Sequence, residues 1–310
     1  MKTVLITGGS GMVGRRLSQL LISKGYKVIW YSRERYVKAE IPRYKWDYRN
    51  GYIDNEALQV ADYIVHLAGA NIGEEKWTRS RKRSIVDSRV QTANLLLDTL
   101  MKLGKRPEAF ISASAVGYYG TGISESIFTE QDVLNGTDFL STTCQQWESA
   151  SKRVQDELGV RTVILRTGVV ISRDSDAFRK MMLPVRFGMG SPLGKGNQYL
   201  SWIHIDDLCN MYLKAIEDGG MFGVYNAVSP CHVTNAQFMR RLARGMHRPF
   251  FMPNVPQFVL RILMGESADL VLGGSRVSAE KIQQEGFKYQ YSDVDKAIRT
   301  TLKAIAKDKK

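Results

Sequence analysis

Cysteine is scarce in this sequence, with Cys144, Cys209 and Cys231 the only three among 310 residues. An odd number of cysteines with no C-x-x-C spacing argues against a disulfide framework and fits a reducing compartment. Apolar runs are short as well, since none approaches the ~20 residues that span a bilayer. The first strand begins directly at the N-terminus, which leaves no room for a signal peptide. These absences predict a cytoplasmic protein that does not contact a membrane.

Histidine is also rare, and the four histidines show no ligand spacing with the cysteines. We therefore expect no bound metal. Acidic residues are outnumbered, with 31 Asp and Glu against 44 Lys and Arg, and the net charge is +13. The densest basic clusters, at 76–83 and 240–248, belong to no recognisable nucleic-acid-binding fold, so solvated helix faces explain them better than a nucleic-acid partner. The basic balance suits a polyanionic cofactor or substrate.

Glycine, by contrast, is concentrated near the N-terminus, where residues 7–14 read TGGSGMVG. A short apolar strand precedes this run, and apolar residues at helical spacing follow it. A strand, a glycine turn and a helix bring a pyrophosphate onto backbone N–H groups and the positive end of a helix dipole. Gly8 permits the tight turn, Gly11 lets backbone approach phosphate, and Gly14 lets the helix pack closely. The run predicts nucleotide binding, with an ordinary strand-to-helix turn as the alternative.

The second predicted strand, at 26–31, leads into Ser32-Arg33, where a dinucleotide fold selects its cofactor. An NAD enzyme places an acid there for the ribose hydroxyls, whereas an NADP enzyme needs positive charge for the 2′-phosphate. Here the acid is missing, and Ser32, Arg33 and nearby Arg35 supply a hydroxyl and two guanidinium groups. A guanidinium suits phosphate because its planar fork can donate two parallel bonds. The loop favours NADP(H) as cofactor, with a merely basic surface loop as the alternative.

Strand-like and helix-like segments alternate six times within residues 1–170, which predicts an α/β fold with a Rossmann-type doubly wound parallel sheet. The later predicted segments are strands at 44–47, 62–67, 109–111 and 161–165, and helices at 79–103 and 140–158. Residues 171–310 are expected to form a smaller mixed α/β lobe, with a return to the first domain around 199–220. Within that return, a strand enters a helix capped by Asp206 or Asp207.

Two further features point to a ligand cleft. Arg89 falls on the inward face of the long helix at 79–103, where a charge is costly unless a phosphate or a carboxylate meets it. The glycine-rich residues 188–197 lack the Gly-Lys-Ser/Thr ending of a phosphate loop and are expected to form a loop over a substrate cleft. The smaller lobe is well placed to close that cleft against the sheet.

Taken together, these motifs resemble the extended short-chain dehydrogenase/reductase proteins, and more narrowly an atypical branch of epimerase-family proteins that ends in a C-terminal domain of unassigned role. The matching motifs are TGGSGMVG, the SR after the second strand, HLAGANI, KW at 76–77, DSR at 87–89, SASAVGYYG, QWE at 146–148, LRTGVV from 165, PLGKGNQYLSWIHIDDL and VTNAQF. The resemblance covers nearly the whole chain.

The resemblance implies an NADP(H) site. The implied cofactor contacts are Gly8, Ser10, Gly11, Met12 and Val13 in the turn, Ser32 and Arg33 at the 2′-phosphate, Leu67, Ala68 and Gly69 around the inner ribose, and Arg89 and Arg166 as further polar contacts. Ser114 falls where the class keeps its active-site serine. A small-molecule substrate, possibly a nucleotide sugar, is implied by the class alone, and the sequence leaves the oligomeric state open.

The chain departs from the class at its proton relay. The class relies on Y-x-x-x-K, in which the lysine lowers the pKa of a tyrosine that trades a proton while hydride moves. No Y-x-x-x-K occurs in these 310 residues, and the expected positions hold Leu140 and Cys144. Neither can replace the pair, because leucine transfers no proton and cysteine supplies no fixed positive charge.

Two hypotheses follow from this departure. The first keeps catalysis, as an NADP-dependent epimerase or reductase in which Tyr118 or Tyr119 substitutes as acid and base beside Ser114, with Arg89 or Arg166 in place of the lysine. Packing at the sheet edge is the competing explanation for both tyrosines. The second hypothesis is a catalytically inactive redox sensor or regulatory protein that binds NADP(H) and reports its redox state to a partner.

Overall fold

The computed structural model describes residues 1–132 and 137–307, and its elements there run in an alternating β/α order. The strands are β1 Thr3–Thr7, β2 Lys27–Ser32, β3 Arg43–Asp47, β4 Tyr52–Ile53, β5 Tyr63–His66, β6 Ala109–Ala115, β7 Ile127–Phe128, β8 Thr162–Thr167, β9 Val169–Ile171, β10 Trp202–His204, β11 Gly223–Ala227 and β12 Arg276–Val277. The helices are α1 Met12–Ser23, α2 Asn55–Val60, α3 Arg79–Leu103, α4 Phe139–Leu158, α5 Asp176–Arg186, α6 Ile205–Glu217, α7 Asn235–Gly245, α8 Gln257–Met264, α9 Asp269–Leu272, α10 Glu280–Gln284 and α11 Val294–Lys307.

Eight strands form the central sheet in the order β11-β8-β6-β5-β1-β2-β3-β4. Every neighbouring pair is parallel except β3 and β4, which are antiparallel. The chain starts at β1 in the middle, works outward to β4, and then fills the other side of β1 from β5 onward. The prediction of a Rossmann-type doubly wound α/β sheet is therefore confirmed.

Helices cover both faces of this sheet, as its apolar strands require. Successive residues of β1 point to opposite faces, so Ile6 packs in one core cluster with Leu17 of α1, while Leu5 packs in another with Leu96 of α3. Helix α3 ends where the sequence predicts it to end, at a left-handed Gly104 that satisfies its last carbonyls. Among the described residues, none of the helices has the length and apolarity needed to cross a membrane.

Residues from Ile171 onward build a second core around α5, α7 and α11, with Phe178, Trp202, Phe238 and Ile298 among its buried members. It does not stay apart from the sheet. Strand β11 pairs with β8 as the edge strand of the central sheet, beyond the return at 199–220 that the sequence predicts. The short strand β12 pairs with β7, which ties the C-terminal part to a loop of the first part.

The predicted cap of α6 is wrong. The N-cap is His204, whose Nδ1 accepts the backbone N–H of Asp206 at 3.2 Å. Asp206 and Asp207 instead lie in the first turn, where a carboxylate favours the positive end of the helix. Asp207 is fully buried and accepts the backbone N–H groups of Gln290 and Tyr291 at 2.8 and 3.0 Å. Asp207, one of the two predicted caps, therefore binds the backbone of the segment before α11.

The turn between β1 and α1 is as tight as the glycine spacing predicts. Gly8 has a φ of +69°, a conformation that a side chain would strain. Gly14 sits so close to the turn that a Cβ there would lie 2.6 Å from the Gly8 carbonyl oxygen and from the Gly9 Cα. Because both of those atoms are backbone, no side chain could make room by rotating. Glycine at 14 thus allows the helix to start directly over the turn.

Candidate functional site

The carboxyl ends of β1, β2, β5, β6 and β8 meet at one edge of the sheet, the edge at which doubly wound sheets bind ligands. Two cavities open along it. The smaller, of about 240 Å³, lies among α4, the loop after β8 and a 3₁₀ turn at Val116–Tyr119. The larger, of about 950 Å³, runs from the β1–α1 turn to α5, α7 and α8. Both are lined by Ile72, Val169 and Leu200, so they form one continuous cleft.

The β1–α1 turn presents the N-terminus of α1 to this cleft. Its N-cap is Gly11, with no side-chain hydrogen bond, and its first turn contains no acidic residue. The backbone N–H groups and the positive end of the helix dipole are therefore left for an anion. Gly11 and Met12 line the larger cavity, as does Arg15, which donates from Nη1 to the Ser10 carbonyl at 2.5 Å.

The turn also rests on an aromatic ring that the sequence reasoning overlooked. A Cβ on Gly9 would lie 2.4 Å from the Trp30 indole, and the Trp30 Nε1 donates to the Ser18 hydroxyl at 2.9 Å. The indole of β2 therefore supports the turn from below and requires glycine at position 9. The sequence signal for this contact is the extra glycine, Gly9, in G-G-x-G. The residue that requires it, Trp30, lies 21 positions further along the chain.

A buried histidine shapes the neighbouring loop after β5. The Thr7 hydroxyl lies 2.8 Å from His66 Nδ1 and accepts the backbone N–H groups of Leu67 and Ala68, each at 3.1 Å. The Thr92 hydroxyl lies 3.3 Å from the other ring nitrogen. Burial lowers the pKa of His66 to about 4, so the imidazole is neutral and can link two hydroxyls. This network fixes the backbone of 67–68, where the resemblance implies cofactor contacts.

The loop after β2 contains two arginines, Arg33 and Arg35, whose surroundings differ. Arg35 is paired with Asp54 and with Glu56, the latter at 2.6 Å, and its guanidinium stacks on Tyr44. Arg33 is exposed, and no carboxylate within residues 1–132 or 137–307 lies within 4.0 Å of it. One guanidinium is thus neutralised by the protein, and the other remains available to an anion.

Arg89 is the least compensated charge in the cleft. Its guanidinium donates to the carbonyls of Ile85 and Ala70 at 2.8 and 3.1 Å and lies 4.9 Å from the centre of the Trp147 ring. Burial lowers the pKa of Arg89 to about 10, which leaves it cationic at neutral pH. In the described part of the chain it has no carboxylate partner within 4.0 Å. Gly69 makes room for it, since a Cβ there would lie 3.0 Å from the Arg89 Cζ.

Arg166 has the opposite surroundings. It is 2% exposed and forms a double hydrogen bond with Glu148, from Nε at 2.8 Å and from Nη2 at 2.9 Å. Burial works against its charge, but the hydrogen bonds and charge of Glu148 outweigh it and raise the pKa of Arg166 above its usual value. Ser114 donates to the same carboxylate at 2.7 Å. Because Glu148 already neutralises Arg166, the charge of Arg166 does not require a cofactor phosphate as its partner. The contact between Arg166 and the cofactor stays a prediction.

The two tyrosines differ in what surrounds them. The Tyr119 hydroxyl lies 2.7 Å from the Asn226 side-chain oxygen and accepts from Arg166 Nη1 at 3.0 Å. Burial raises the pKa of Tyr119 to about 12. The Tyr118 ring lies flat against Arg166, with 3.3 Å between the ring centre and Cζ. Of the three predicted catalytic residues, Tyr119 lines the smaller cavity, whereas Tyr118 and Ser114 do not.

Leu140 and Cys144 stand on α4 and form part of the wall of the smaller cavity. Both are buried, and a Cβ on Gly117 would lie 3.4 Å from the Leu140 Cβ and 3.6 Å from the Cys144 sulfur. Burial raises the pKa of Cys144 to about 12, so the thiol is neutral. This wall is therefore apolar at the two positions where the resemblance to the class leads us to expect a tyrosine and a lysine.

In the described part of the chain, no group of three or more His, Cys, Asp or Glu could hold a metal ion.

Comparison with known proteins agrees with this architecture. A model of the NAD dependent epimerase/dehydratase family matches residues 4–227, and a model of a domain of unknown function (DUF1731) matches residues 255–301. The epimerase family protein YfhF of Bacillus subtilis is 34% identical over 296 residues, covering 95% of this chain and 96% of YfhF. The human epimerase family protein SDR39U1 is 32% identical over 299 residues, covering 96% and 98% of the two chains.

A solved structure extends the comparison to three dimensions. The crystal structure of human SDR39U1 (isoform2) with NADPH matches with a TM-score of 0.85 at 30% identity, covering 97% of this chain and 99% of that one. The resemblance inferred from the motifs is thereby confirmed. The chain belongs to the NAD dependent epimerase/dehydratase family, in the branch of epimerase family proteins whose C-terminal part matches the domain of unknown function.

Proposed function

We propose that this protein binds NADP(H) and exchanges hydride with an alcohol or ketone, as an epimerase-like oxidoreductase of the extended short-chain dehydrogenase/reductase class. The observation that carries the cofactor choice is Arg33, a guanidinium without a carboxylate partner at the position where an NAD site needs an acid. The NADPH bound to human SDR39U1 supports the same choice. When bound, NADP(H) supplies the hydride donor or acceptor.

The residues of the cleft fit such a dinucleotide. The uncapped N-terminus of α1 offers backbone donors to a pyrophosphate, and Gly9 and Gly14 let the turn pack closely on Trp30 and on the helix that presents those donors. Arg33 and Ser32 would hold the 2′-phosphate, while Arg89 supplies a second cation beside the loop after β5. The contacts of the turn, of 67–69 and of Arg89 that the resemblance implies are proposed on this basis.

Proton transfer is proposed for Tyr119. At a pKa of about 12 the phenol is protonated near neutral pH, so it can act as an acid but not as a base. An alkoxide formed from a ketone is a stronger base than this phenolate and would take its proton. The Arg166 Nη1, 3.0 Å away, faces the negative charge that remains. These properties favour reduction of a ketone over epimerisation, because epimerisation also needs a base.

A second candidate function is an inactive NADP(H)-binding sensor. The observation that favours it is the pair Leu140 and Cys144, an aliphatic side chain and a neutral thiol that line the smaller cavity. Hydride exchange without a well-placed acid would be slow, whereas binding needs no acid. Binding of NADP(H) in the cleft would then change the conformation of the C-terminal part that closes it.

Replacing Arg33 tests the cofactor choice. Arg33→Ala should weaken NADP⁺ binding by about 10- to 100-fold, because charge-assisted hydrogen bonds contribute about 1.5–3 kcal/mol. NAD⁺ binding should stay within about twofold, since NAD⁺ lacks the 2′-phosphate. Isothermal titration calorimetry with both cofactors measures this. The matched control is Arg35→Ala, whose guanidinium is already paired and should matter less. An equal loss for both cofactors would overturn the assignment.

Replacing Arg89 tests the second cation. Arg89→Met keeps the packing against Trp147 but removes the charge, and we expect about tenfold weaker binding of both NADP⁺ and NAD⁺. The loss should be shared because Arg89 contacts the loop after β5, two strands away from Arg33. Arg83→Met on the same helix, where the side chain is 83% exposed, is the matched control. Unchanged affinity in Arg89→Met would remove this residue from the cofactor site.

Replacing Tyr119 tests the proton donor. Tyr119→Phe should lower ketone reduction by NADPH at least about 100-fold and destabilise the fold by about 1–3 kcal/mol, since Asn226 and Arg166 lose a partner. Tyr118→Phe should keep its turnover. Tyr225→Phe, which removes a buried hydroxyl bonded to Glu285, controls for loss of stability alone. Initial rates and urea unfolding are the measurements, and wild-type turnover in Tyr119→Phe would exclude the phenol from the mechanism.

Thermal stabilisation separates the enzyme from the sensor. A catalytic site cycles between both cofactor forms, so we expect NADP⁺ and NADPH to stabilise the protein to within about 1.4 kcal/mol, equivalent to a tenfold difference in dissociation constant. A sensor must distinguish the two forms by more than that. A larger difference, combined with no turnover on any ketone or nucleotide sugar, would favour the sensor.

A further inference from the structure

The larger cavity extends well beyond the part that faces the β1–α1 turn. Its 950 Å³ reach from Met12 to the C-terminal lobe, where α5, α7, α8 and the glycine-rich loop at 188–197 form the far wall. The prediction that this loop overlies a cleft agrees with Met189 and Leu193, which line the cavity. A site of this size can hold a drug-sized molecule next to a cofactor. The chemistry of the far wall therefore bears on the substrate.

The far wall is apolar and rich in methionine. The side chains that define it are Met181, Met189, Leu193, Met239, Leu260 and Met264. They come from four separate segments, so the apolar character does not belong to a single helix. Methionine is flexible and polarizable, and it adapts to apolar ligands of irregular shape. Such a wall offers dispersion contacts and little to a sugar.

The charged side chains at the rim of this cavity are already used within the protein. Lys180 donates to the Gly73 carbonyl at 2.6 Å, and Asp176 accepts from the Asn71 amide at 3.1 Å. Arg179 donates from Nε to a backbone carbonyl at 2.7 Å and pairs with an aspartate at 3.4 Å. The bonds of Lys180 and Asp176 hold α5 against the loop after β5, whereas those of Arg179 hold the segment just before α5. Arg179 and Lys180 are exposed and keep further N–H donors, so any contact that they make with a diphosphate would lie at the rim and not at the far wall.

Two polar side chains deeper in the cavity, Gln198 and Asn235, are partly occupied as well. The Gln198 amide donates to the carbonyls of Leu193 and Val271 at 3.0 and 2.7 Å. The Asn235 side-chain oxygen accepts the Leu193 backbone N–H at 2.8 Å. Gln198 and Asn235 are both buried, so these bonds fix the loop and are costly to exchange. The Gln198 Oε1 and the Asn235 Nδ2 have no hydrogen-bond partner among the described residues, which leaves one acceptor and one amide donor group for the several hydroxyls of a ribose and a sugar.

Helix α8, which contributes to the far wall, also carries exposed apolar side chains. Phe258, Ile262 and Leu263 of α8 are 65, 71 and 63% exposed, while Leu260 and Met264 of that helix line the cavity. Helix α8 is thus apolar both towards the cavity and towards solvent. Phe187, which follows α5, is 66% exposed and lies in the chain between Pro184 and Met189, which line the cavity. The elements of the far wall are therefore apolar on their exposed sides as well.

We propose that the substrate is a largely apolar ketone, or the corresponding alcohol, whose hydrocarbon part fills the methionine-rich far wall, and not a nucleotide sugar. The redox part of this proposal rests on the proposed function. In the reduction, hydride passes from NADPH to the carbonyl carbon and a proton passes to the carbonyl oxygen, which yields the secondary alcohol and NADP⁺. The ligand class itself rests on the cavity alone.

A homologous series of methyl ketones, from butanone to decanone, tests the ligand class. The full-length protein is saturated with NADP⁺, and each ketone displaces a neutral naphthyl ketone dye whose emission reports apolar surroundings. Affinity should rise about fourfold per added methylene, the factor that corresponds to about 0.8 kcal/mol of transfer free energy, until the cavity is filled. UDP-glucose and UDP-galactose should not displace the dye. Consumption of NADPH with the same compounds is measured separately.

Two substitutions locate the binding site. Met189→Gln and Met264→Gln keep the side-chain length but place an amide in the wall, and each should weaken decanone binding by about five- to tenfold. Neither residue is fully buried, so folding is not at risk. Met101→Gln, at a 48% exposed position on α3 away from the cavity, is the matched control and should bind like wild type.

The outcomes separate this proposal from the proposed function. Graded binding that depends on Met189 and Met264 supports the ligand class, and if NADPH is then not consumed, the oxidoreductase function fails while the ligand class stands. Affinity that does not change along the series, or that Met189→Gln and Met264→Gln leave unaltered, overturns the ligand class. Turnover of a UDP-sugar without displacement by the ketones overturns it too and leaves the oxidoreductase function standing.

Discussion

The buried ion pair between Arg166 and Glu148 is the interaction on which the site half of the molecule depends. It joins the end of β8 to the middle of α4, and both side chains are 2% exposed. A buried pair contributes little by itself, but removing one partner leaves an uncompensated charge and costs about 3–5 kcal/mol. Ser114 of β6 and Tyr119 of the 3₁₀ turn bind to the same pair. One connected polar network therefore lies next to the smaller cavity and reaches its lining at Tyr119.

The arginines near the cleft differ in whether the protein itself neutralises them. Arg35 and Arg166 are neutralised by acids of the same chain. Arg33 and Arg89 have no such partner in the part that the structure describes, and they lie at the edge where the strands end. The same chemical group thus stabilises the fold at two positions and awaits an anion at two others. Sequence alone cannot sort these cases, because the acids that decide them are distant along the chain.

The parts of the fold that depend on local patterns could be predicted from the sequence. The boundaries of α3 match its prediction because an uninterrupted helical stretch ends in a glycine that can adopt a left-handed conformation. The glycine turn and the parallel sheet follow equally from short-range rules. The cap of α6 was wrong because His204, an uncommon N-cap, precedes two aspartates that look better suited. The position of β11 in the central sheet was not predicted, because it depends on pairing with β8, which lies 60 positions earlier in the chain.

The candidate site was predictable in outline and not in its chemistry. Gly8, Gly11 and Gly14 identify the turn, and the absence of an acid after β2 indicates the cofactor. The partners of Arg166 and of Tyr119 could not be predicted, since Glu148 and Asn226 reach them through tertiary packing. The apolar far wall of the larger cavity was missed for the same reason, because its methionines are spread over 84 positions and show no shared periodicity.

The pairing of β12 with β7 bears on how far the protein is modular. Two family models match successive parts of the chain, 4–227 and 255–301, but these two parts share a core. Ile282 from the second match sits in the same core cluster as Ile6 from the first. Lys281 donates to the Val224 carbonyl and Ser278 accepts from Asn226, so the second match also shields the outermost strand of the sheet. Removing only the last segment would leave that strand open to pairing with another chain, so the two parts depend on each other for a closed sheet edge.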